Sequence, residues 1–254
     1  MYFEMLRQWL QHCDLEHKFI GSDPHSILLL FRPTRLLYVG GPDPSKVQLR
    51  EMKSMNGVEA VRYVALSHRW GNPTVEEKNC YCTTRENYQG RLNGFSIEKL
   101  PRTFRDAVEI TRVLEQEYIW IDALCIIQAV EGADNEDWKN EAGRMEETFG
   151  SAYCTIAADS ALNWKDGFLP RESALPVTKA HHFENLIYTC ETNHEFNFDN
   201  DVNKSELNKR AWVLQERVLS RRILHFTRNH TYFACGKGIR CGNIVERKMC
   251  ASSL

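Results

Sequence analysis

The stretch Leu100–Gln128 reads LPRTFRDAVEITRVLEQEYIWIDALCIIQ, and it decides the fold. Its first half predicts a helix, because Thr103 and Asp106 stand in capping-box spacing just after Pro101. Apolar residues then recur at helical spacing and supply one buried face: Phe104, Ala107, Val108, Ile110, Val113 and Leu114. Its second half predicts a short buried strand, Tyr118–Ile121, that ends on Asp122.

A second apolar segment precedes this unit along the chain. Val61–Leu66 is compact, β-branched and aromatic, so it predicts a buried strand, which the breaker at residues 71–73 ends. Strand, helix and strand in this order are typical of a βαβ crossover between parallel strands. We therefore predict an α/β fold with a central, mainly parallel sheet flanked by helices. Ser67 and Asp122 then lie at the carboxyl edge of the sheet, where open α/β sheets bind ligands.

The remaining elements follow from shorter apolar patterns. Helices are predicted over Glu4–His17, Trp138–Phe149 and Arg210–Leu219, and strands over Arg35–Val39, Tyr153–Ala157, Leu186–Cys190, Ile223–Thr227 and Thr231–Cys235. We expect residues 1–254 to form a single domain, with a core of about residues 35–71 and 100–235. The polar residues 72–99 and 159–209 are predicted to be insertions into that core.

Composition and charge exclude several classes of protein. The 254 residues are 43% hydrophobic and carry a net charge of −2, so the basic surface typical of nucleic-acid binding is missing. The most apolar run, Ile27–Phe31, is far shorter than the ~20 residues that cross a bilayer. The nine cysteines are scattered and form no CxxC pair, so we predict neither a disulfide framework nor a zinc site. The first residues have no signal-peptide core, and we expect a cytoplasmic, reducing compartment.

Three stretches set polar residues directly against apolar runs. They are Tyr63–Gly71 (YVALSHRWG), Leu100–Gln128 and Arg210–Ser220 (RAWVLQERVLS). A buried polar group without a partner costs roughly 1–3 kcal/mol, so such groups are expected to be paired or functional. We predict that the three stretches assemble into one site.

At these stretches the chain closely resembles the fungal heterokaryon incompatibility (HET) domain. The family pattern runs Y-x-A-L-S-x-x-W-G, then L-P-x-T-x-x-D-A through W-I-D-x-L-C-I-x-Q, then R-x-W-x-x-Q-E-x-x-L-S, and the matches are nearly complete. The resemblance implies a role in non-self recognition and programmed cell death in a filamentous fungus. It also implies protein partners or self-assembly, in a stand-alone member or a fragment of a longer protein.

One departure from the family pattern concerns metal binding. Many members carry C-x3-H-x-x-C near the N-terminus, whereas this chain has Cys13 and His17 but Ile20 in the last place. Two ligands make no metal site, because zinc is held by three or four protein ligands. No metal and no required cofactor are therefore predicted.

The HET family is also remotely similar to TIR domains, which have a flavodoxin-like arrangement. Here Tyr63–Arg69 is similar to the first TIR strand, and Thr103–Asp122 to the next helix and strand. Trp212 and Glu216 keep the W-x-x-x-E spacing of the catalytic glutamate in enzymatic TIR domains. The resemblance therefore implies an NAD glycohydrolase, in which Glu216 stabilises the oxocarbenium-like cation formed when nicotinamide leaves NAD. An ion pair from Glu216 to Arg210, Arg217 or Arg221 is the competing role.

Other residues are predicted to surround the nucleotide. The set is Ser67, His68, Arg69, Trp70, Asp122, Arg210, Trp212 and Gln215, with Cys125 and Gln128 as further candidates. Arginine suits phosphate or ribose, and tryptophan suits a base ring, although tryptophan also packs in cores. Asp122 holds a ribose hydroxyl, orients His68 or Arg210, or caps the next turn.

Two alternatives to this reading stay open. Cys125 with His68 as its base would form a cysteine nucleophile, although the apolar neighbours of Cys125 favour an inert thiol. The other alternative is a non-enzymatic module that kills by assembling or by recruiting partners. In that case the polar residues stabilise the fold and bind no substrate.

Overall fold

The fold is built on a mixed β-sheet. The computed structural model describes residues 2–17, 31–54, 61–129, 135–169, 177–182, 185–190, 197–209 and 211–242. The strands of its large sheet are β1 Arg35–Tyr38, β2 Lys46–Glu51, β3 Val64–Ser67, β4 Phe95–Ser96, β5 Tyr118–Trp120, β6 Cys154–Ala157, β9 Arg222–Phe226, β10 Thr231–Cys235 and β11 Gly238–Gly242. Their order is β11-β10-β9-β6-β3-β5-β1-β2-β4. A separate hairpin pairs β7, Val177–His182, with β8, Asn185–Cys190.

The α/β prediction is confirmed, but the parallel pairing is confined to the centre of the sheet. β9, β6, β3 and β5 are parallel neighbours, and every other pair in this sheet is antiparallel. Short connections explain the antiparallel margins, because a turn of a few residues can join only antiparallel strands. Such connections join β1 to β2 and β10 to β11.

The order of the four parallel strands creates a switch point. The chain runs from β3 to β5 on one side of β3, and then to β6 and β9 on the other side. With β3 counted as the first strand, this is the 2-1-3-4 order of flavodoxin-like sheets. Ligands of such sheets bind at the carboxyl ends of the strands where the order reverses, here between β3 and β6.

Eight α-helices lie in the described residues. They are α1 Tyr2–Glu16, α2 Val75–Tyr81, α3 Tyr88–Leu92, α4 Arg102–Val113, α5 Asp122–Cys125, α6 Glu136–Ala142, α7 Met145–Ser151 and α8 Ala211–Leu219. The single helix predicted over Trp138–Phe149 is two short helices, with Gly143 and Arg144 between them. No helix in the described ranges is long and apolar enough to span a membrane.

The predicted capping box at the start of α4 is wrong. Pro101 is the N-cap residue and makes no side-chain capping bond. The Thr103 hydroxyl donates to the Asn163 carbonyl at 3.1 Å, and Asp106 accepts from the backbone N–H groups of Phe168 and Leu169. Both side chains therefore fasten the loop after β6 to α4, and a local sequence pattern cannot show such a long-range partner.

The two faces of the sheet carry alternate residues of each strand. The face that we call the α4 face packs Val64 and Leu66 of β3 with Phe104 and Ile110 of α4. The opposite face, the α8 face, packs Ala65 of β3 and Tyr63, the residue before β3, with Phe149 of α7. Farther along this face, Val213 of α8 packs with Ala157 and Ile223. Ser67 therefore points to the α8 face, and His68 follows the alternation toward the α4 face.

Candidate functional site

Three neighbouring parallel strands end side by side on the α8 face. Ser67 of β3 is in register with Ala157 of β6, and Ala157 is in register with His225 of β9. Residues in register on parallel strands point to the same face, so Ser67 and His225 flank the small side chain of Ala157. The methyl group of Ala157 leaves space between two polar side chains at the switch point.

Helix α8 brings a carboxylate to this space. Val213 and Glu216, three residues apart on α8, are both buried, and only 6% of Glu216 is exposed. The Ser67 hydroxyl donates a hydrogen bond of 2.5 Å to Oε2 of Glu216. A buried carboxylate is costly unless hydrogen-bonded, so this contact links the first and third sequence stretches physically. Ser67 and Glu216 are the predicted residues that the structure brings together here.

A buried aspartate–histidine pair completes the group, and the sequence reasoning missed it. Asp159 follows β6 and contacts Nδ1 of His225 through Oδ2 at 2.9 Å, while its Oδ1 accepts from the Ser205 hydroxyl. Because the carboxylate can only accept, we assign the proton of His225 to Nδ1, which leaves a lone pair on Nε2. Nε2 is buried and has no hydrogen-bond partner among the described residues.

Ser67, Asp159, Glu216 and His225 line a small space that we call the carboxylate cavity. Its volume of about 10 Å³ is close to the least that holds one water molecule. A hydroxyl, two carboxylates and an imidazole around one water are groups suited to general acid–base chemistry. A nucleotide does not fit this cavity in the conformation described.

Three other predicted residues meet on the α4 face. Nε1 of Trp70 donates to Oδ2 of Asp122 at 2.8 Å, and Nε2 of His68 lies 3.8 Å from Oδ1 of Asp122. The ring of His68 meets the ring of Phe104 edge-on. Asp122 is the first residue of α5 rather than its N-cap, and its Oδ1 accepts from the N–H of Ala123. The structure thus divides the expected single site into two groups on opposite faces of the sheet.

An open cleft of about 630 Å³ borders the α4-face group. We call it the tryptophan cleft, since Trp70 and Trp164 line it together with Arg69 and Lys165. Its volume is within the range of small-molecule sites. Nε1 of Trp164 is buried without a hydrogen-bond partner among the described residues.

Arg69 lies between the cleft and the cavity. Its guanidinium lines the cleft and pairs with Glu206 at 3.2 Å. Glu206 directly precedes Leu207 and Asn208, which line the carboxylate cavity. Since both side chains are partly exposed, water screens this ion pair, and it holds the boundary only weakly.

The two further candidates have structural partners. Cys125 is buried, its sulfur lies 3.5 Å from the N–H of Ile121, and burial raises the pKa of its thiol to about 12. A thiol that stays protonated at neutral pH is a poor nucleophile. The amide of Gln128 donates to the carbonyls of Asp122 and Ile126, which fastens the turn after α5.

The last predicted residues belong to the third sequence stretch. Arg210 lies outside the described residues. Trp212 and Gln215 lie on α8, but their side chains are outside the described part of the structure. Arg217, one of the competing ion-pair partners of Glu216, has its guanidinium over the ring of Phe198 at 5.5 Å.

Comparison with known proteins gives one match. The family model described as heterokaryon incompatibility protein (HET) matches residues 63–216, more than half of the 254-residue chain. The matched range runs from the residue before β3 to Glu216, so it includes every residue of the carboxylate cavity named above except His225. No curated protein and no solved structure matches the chain.

Proposed function

Because the chain belongs to the heterokaryon incompatibility (HET) family, we propose that it acts in fungal heterokaryon incompatibility by cleaving NAD or a related nucleotide. The family supports the incompatibility role. The cleavage, and the cell death that follows when the nucleotide is consumed in the cytoplasm, are our proposal. It requires no cofactor, since NAD enters as the substrate.

The observation that carries the proposal is the hydrogen bond between Ser67 and Glu216 at the switch point of the sheet. Open α/β sheets bind ligands at this position. The hydroxyl holds the carboxylate at the carboxyl ends of β3 and β6, where it is kept out of bulk water. A carboxylate in a poorly solvated place interacts strongly with a developing positive charge.

The proposed reaction is hydrolysis of an N-glycosidic bond. The bond between C1′ of the ribose and the nicotinamide nitrogen breaks, and its electron pair leaves with neutral nicotinamide. Positive charge develops on the ribose, where the carboxylate of Glu216 stabilises it. A water molecule adds to C1′ and passes its proton to Nε2 of His225, from which the proton goes to solvent. The products are nicotinamide, ADP-ribose and one proton.

We propose that the tryptophan cleft holds the larger part of the nucleotide. Its volume of about 630 Å³ suits a ligand of that size, whereas the carboxylate cavity suits one water. Arg69 would leave Glu206 and bind the diphosphate, and Trp70 would support a ring. Loss of the Arg69–Glu206 pair would also release the segment that closes the cavity. This opening gives the ribose access to Glu216.

The burial of the groups around the carboxylate cavity also favours a second candidate function. Asp159, Glu216 and His225 are all buried, and Asp159 and Glu216 accept hydrogen bonds that tie α8 and the segment before it to the sheet. In a non-enzymatic module that kills by assembly or by recruiting partners, this network would stabilise the fold alone. The two candidates differ in whether the protein releases nicotinamide.

The experiment follows nicotinamide release from NAD by wild-type protein and by Glu216→Gln, from dilute to concentrated protein, so that assembly-dependent activity is seen. Glutamine keeps an acceptor for Ser67 but has no charge, so release should fall by about 10²-fold or more. Glu141→Gln is the matched control, because Glu141 is also a buried glutamate but lies on α6. Absence of release by the wild-type protein at every concentration would favour the assembly module. Equal release by wild-type protein and Glu216→Gln would favour it as well.

A further inference from the structure

A cluster of soft ligands lies at the end of α1, away from both groups described above. Cys13 is on α1, and His17 follows the last residue of the helix. The N–H of His17 donates to the Cys13 carbonyl, so the two side chains lie on one face of the last turn. The third member, Cys235, is the last residue of β10. It is more than 200 positions away in sequence, so a local spacing rule cannot find it.

The packing of α1 along β10 brings this third ligand into place. The hydroxyls of Tyr2 and Thr231 share a hydrogen bond. The ring of Trp9 stacks on the ring of Phe233, with 6.2 Å between the centroids. Thr231, Phe233 and Cys235 alternate along β10 and therefore share one face. The cluster of Cys13, His17 and Cys235 is the last contact of this helix–strand pair.

The distance between Cys235 and His17 fits a tetrahedral metal, and Cys13 lies close enough to reach one after a shift of about 1 Å or less. The three ligand atoms all lie within 4.8 Å of one another, and Sγ of Cys235 is 3.5 Å from Nδ1 of His17. Zinc bonds of about 2.3 Å to sulfur and about 2.0 Å to nitrogen would place tetrahedral ligand atoms about 3.5–3.8 Å apart. Cys13 and Cys235 are free thiols, so both sulfurs are available. Two thiolates and an imidazole favour zinc over hard cations such as magnesium and calcium.

We propose that Cys13, His17 and Cys235 bind one zinc ion that clamps α1 to β10. Water takes the fourth position in this arrangement, as it does where zinc has three protein ligands. The clamp fixes the N-terminal helix to the antiparallel margin of the sheet. It is independent of the nucleotide chemistry proposed for the α8 face, so either proposal can fail alone.

The first test uses the whole chain, purified in reducing buffer without an affinity tag that binds metal. We expect about one zinc per chain, removal by a strong chelator, and a fall in Tm of about 5–10 °C that added zinc reverses. Replacement of zinc by cobalt should give the visible bands of a tetrahedral site and a thiolate-to-cobalt charge-transfer band. A chain without bound zinc that also gives no thiolate band with cobalt would overturn the proposal.

Variants locate the metal within the chain. Cys235→Ser and His17→Asn should each lower zinc affinity at least tenfold, since each removes one of three ligands. The matched controls are Cys80→Ser and His12→Asn, which change an exposed thiol and the imidazole next to His17 without changing the cluster. Circular dichroism checks folding, and the chelation test on wild-type protein needs no variant. Equal zinc affinity in Cys235→Ser and Cys80→Ser would contradict the assigned ligands.

Discussion

The two faces of the sheet at the end of β3 differ in what they offer a ligand. On the α8 face, the carboxylate cavity is small and lined by buried groups suited to acid–base chemistry, with room for about one water. On the α4 face, the tryptophan cleft is open and large, with Arg69, Lys165 and two tryptophans along its wall. The groups to which we assign the chemistry and the space that we propose for the nucleotide are thus on different faces of one strand end.

This difference follows from the geometry of a strand. Ser67 and His68 are consecutive, so their side chains leave β3 on opposite faces. Ser67 reaches Glu216, while His68 lies beside Asp122. A run of adjacent polar residues at a strand end therefore serves two sites, and only a ligand that crosses the edge of the sheet can contact both. Arg69, in the loop beyond the strand, is placed to contact such a ligand.

The largest expected effect is on turnover when His225 loses Nε2. In His225→Asn the amide can still donate to Asp159, but no base remains for the attacking water. Nicotinamide release should fall by about 10²–10⁴-fold, the usual contribution of a general base. The same change at an equally buried histidine away from the cavity, His230→Asn, is the control. Unchanged release in His225→Asn would remove the histidine from the mechanism.

The next largest effect is on the stability of the protein, compared between one variant on each face of the sheet. Asp159→Ala leaves the buried His225 and the half-buried Ser205 without their acceptor, so the free energy of unfolding should fall by about 3 kcal/mol or more. Lys165→Ala on the rim of the tryptophan cleft loses only an exposed ion pair to Glu77 and should leave the urea midpoint unchanged. Equal midpoints for the two variants would mean that the carboxylate cavity is no more tightly built than the cleft.

A smaller effect concerns binding in the cleft. Arg69→Gln should weaken ADP-ribose binding about tenfold, because one charge-assisted contact to phosphate is lost. Arg105→Gln is the matched control, since the Arg105 side chain has similar exposure and a similar ion pair, to Glu98. Isothermal titration calorimetry measures both. If the two variants bind alike, the nucleotide does not contact Arg69.

The smallest effect concerns thiol chemistry. Cys80 is exposed on α2, whereas Cys125 is buried in the cluster that contains Ala65 and Phe149, and burial raises its pKa to about 12. Iodoacetamide at pH 8 should label Cys80 and leave Cys125 unmodified, and urea should make both react. Mass spectrometry of peptides gives the result. Labelling of Cys125 in the folded protein would restore the cysteine-nucleophile alternative.

The raised pKa of the same buried thiol predicts that the folded protein becomes less stable at high pH. The pKa of Cys125 is about 12 in the folded protein against an ordinary value of 9.0. The unfolded chain therefore loses this proton first as the pH rises. The stabilisation is complete below about pH 9 and is lost progressively as the pH approaches 12.

Sequence reasoning predicted the parts of the fold with strong periodicity. The βαβ unit over β3, α4 and β5 is confirmed, because its apolar runs are long and its elements are adjacent along the chain. β2 and β11 were missed, since KVQLRE alternates with charges and GIRCG begins and ends with glycine. Such strands are specified by their partners in the sheet more than by their own composition.

The candidate site was predictable in part. The HET motifs led to Ser67 and Glu216, and the structure joins these two residues by a hydrogen bond. Asp159 and His225 were missed because no motif contains them, although Asp159 directly follows the predicted strand that ends at Ala157. Strand alternation alone would have warned that Ser67 and His68 point apart. Contacts such as Cys235 with His17 depend on tertiary packing and leave no local signal.

The most direct test measures turnover and binding separately. We assign turnover to Glu216 on the α8 face and nucleotide binding to Arg69 at the tryptophan cleft. Nicotinamide release at saturating NAD and the Kd for ADP-ribose are measured for wild-type protein, Glu216→Gln and Arg69→Gln. We predict that Glu216→Gln loses release by about 10²-fold or more while its Kd stays within about twofold. For Arg69→Gln we predict a Kd about tenfold higher, with release at saturation largely kept. Wild-type protein that neither binds ADP-ribose nor releases nicotinamide, or a Glu216→Gln variant that releases it at the wild-type rate, would contradict the account.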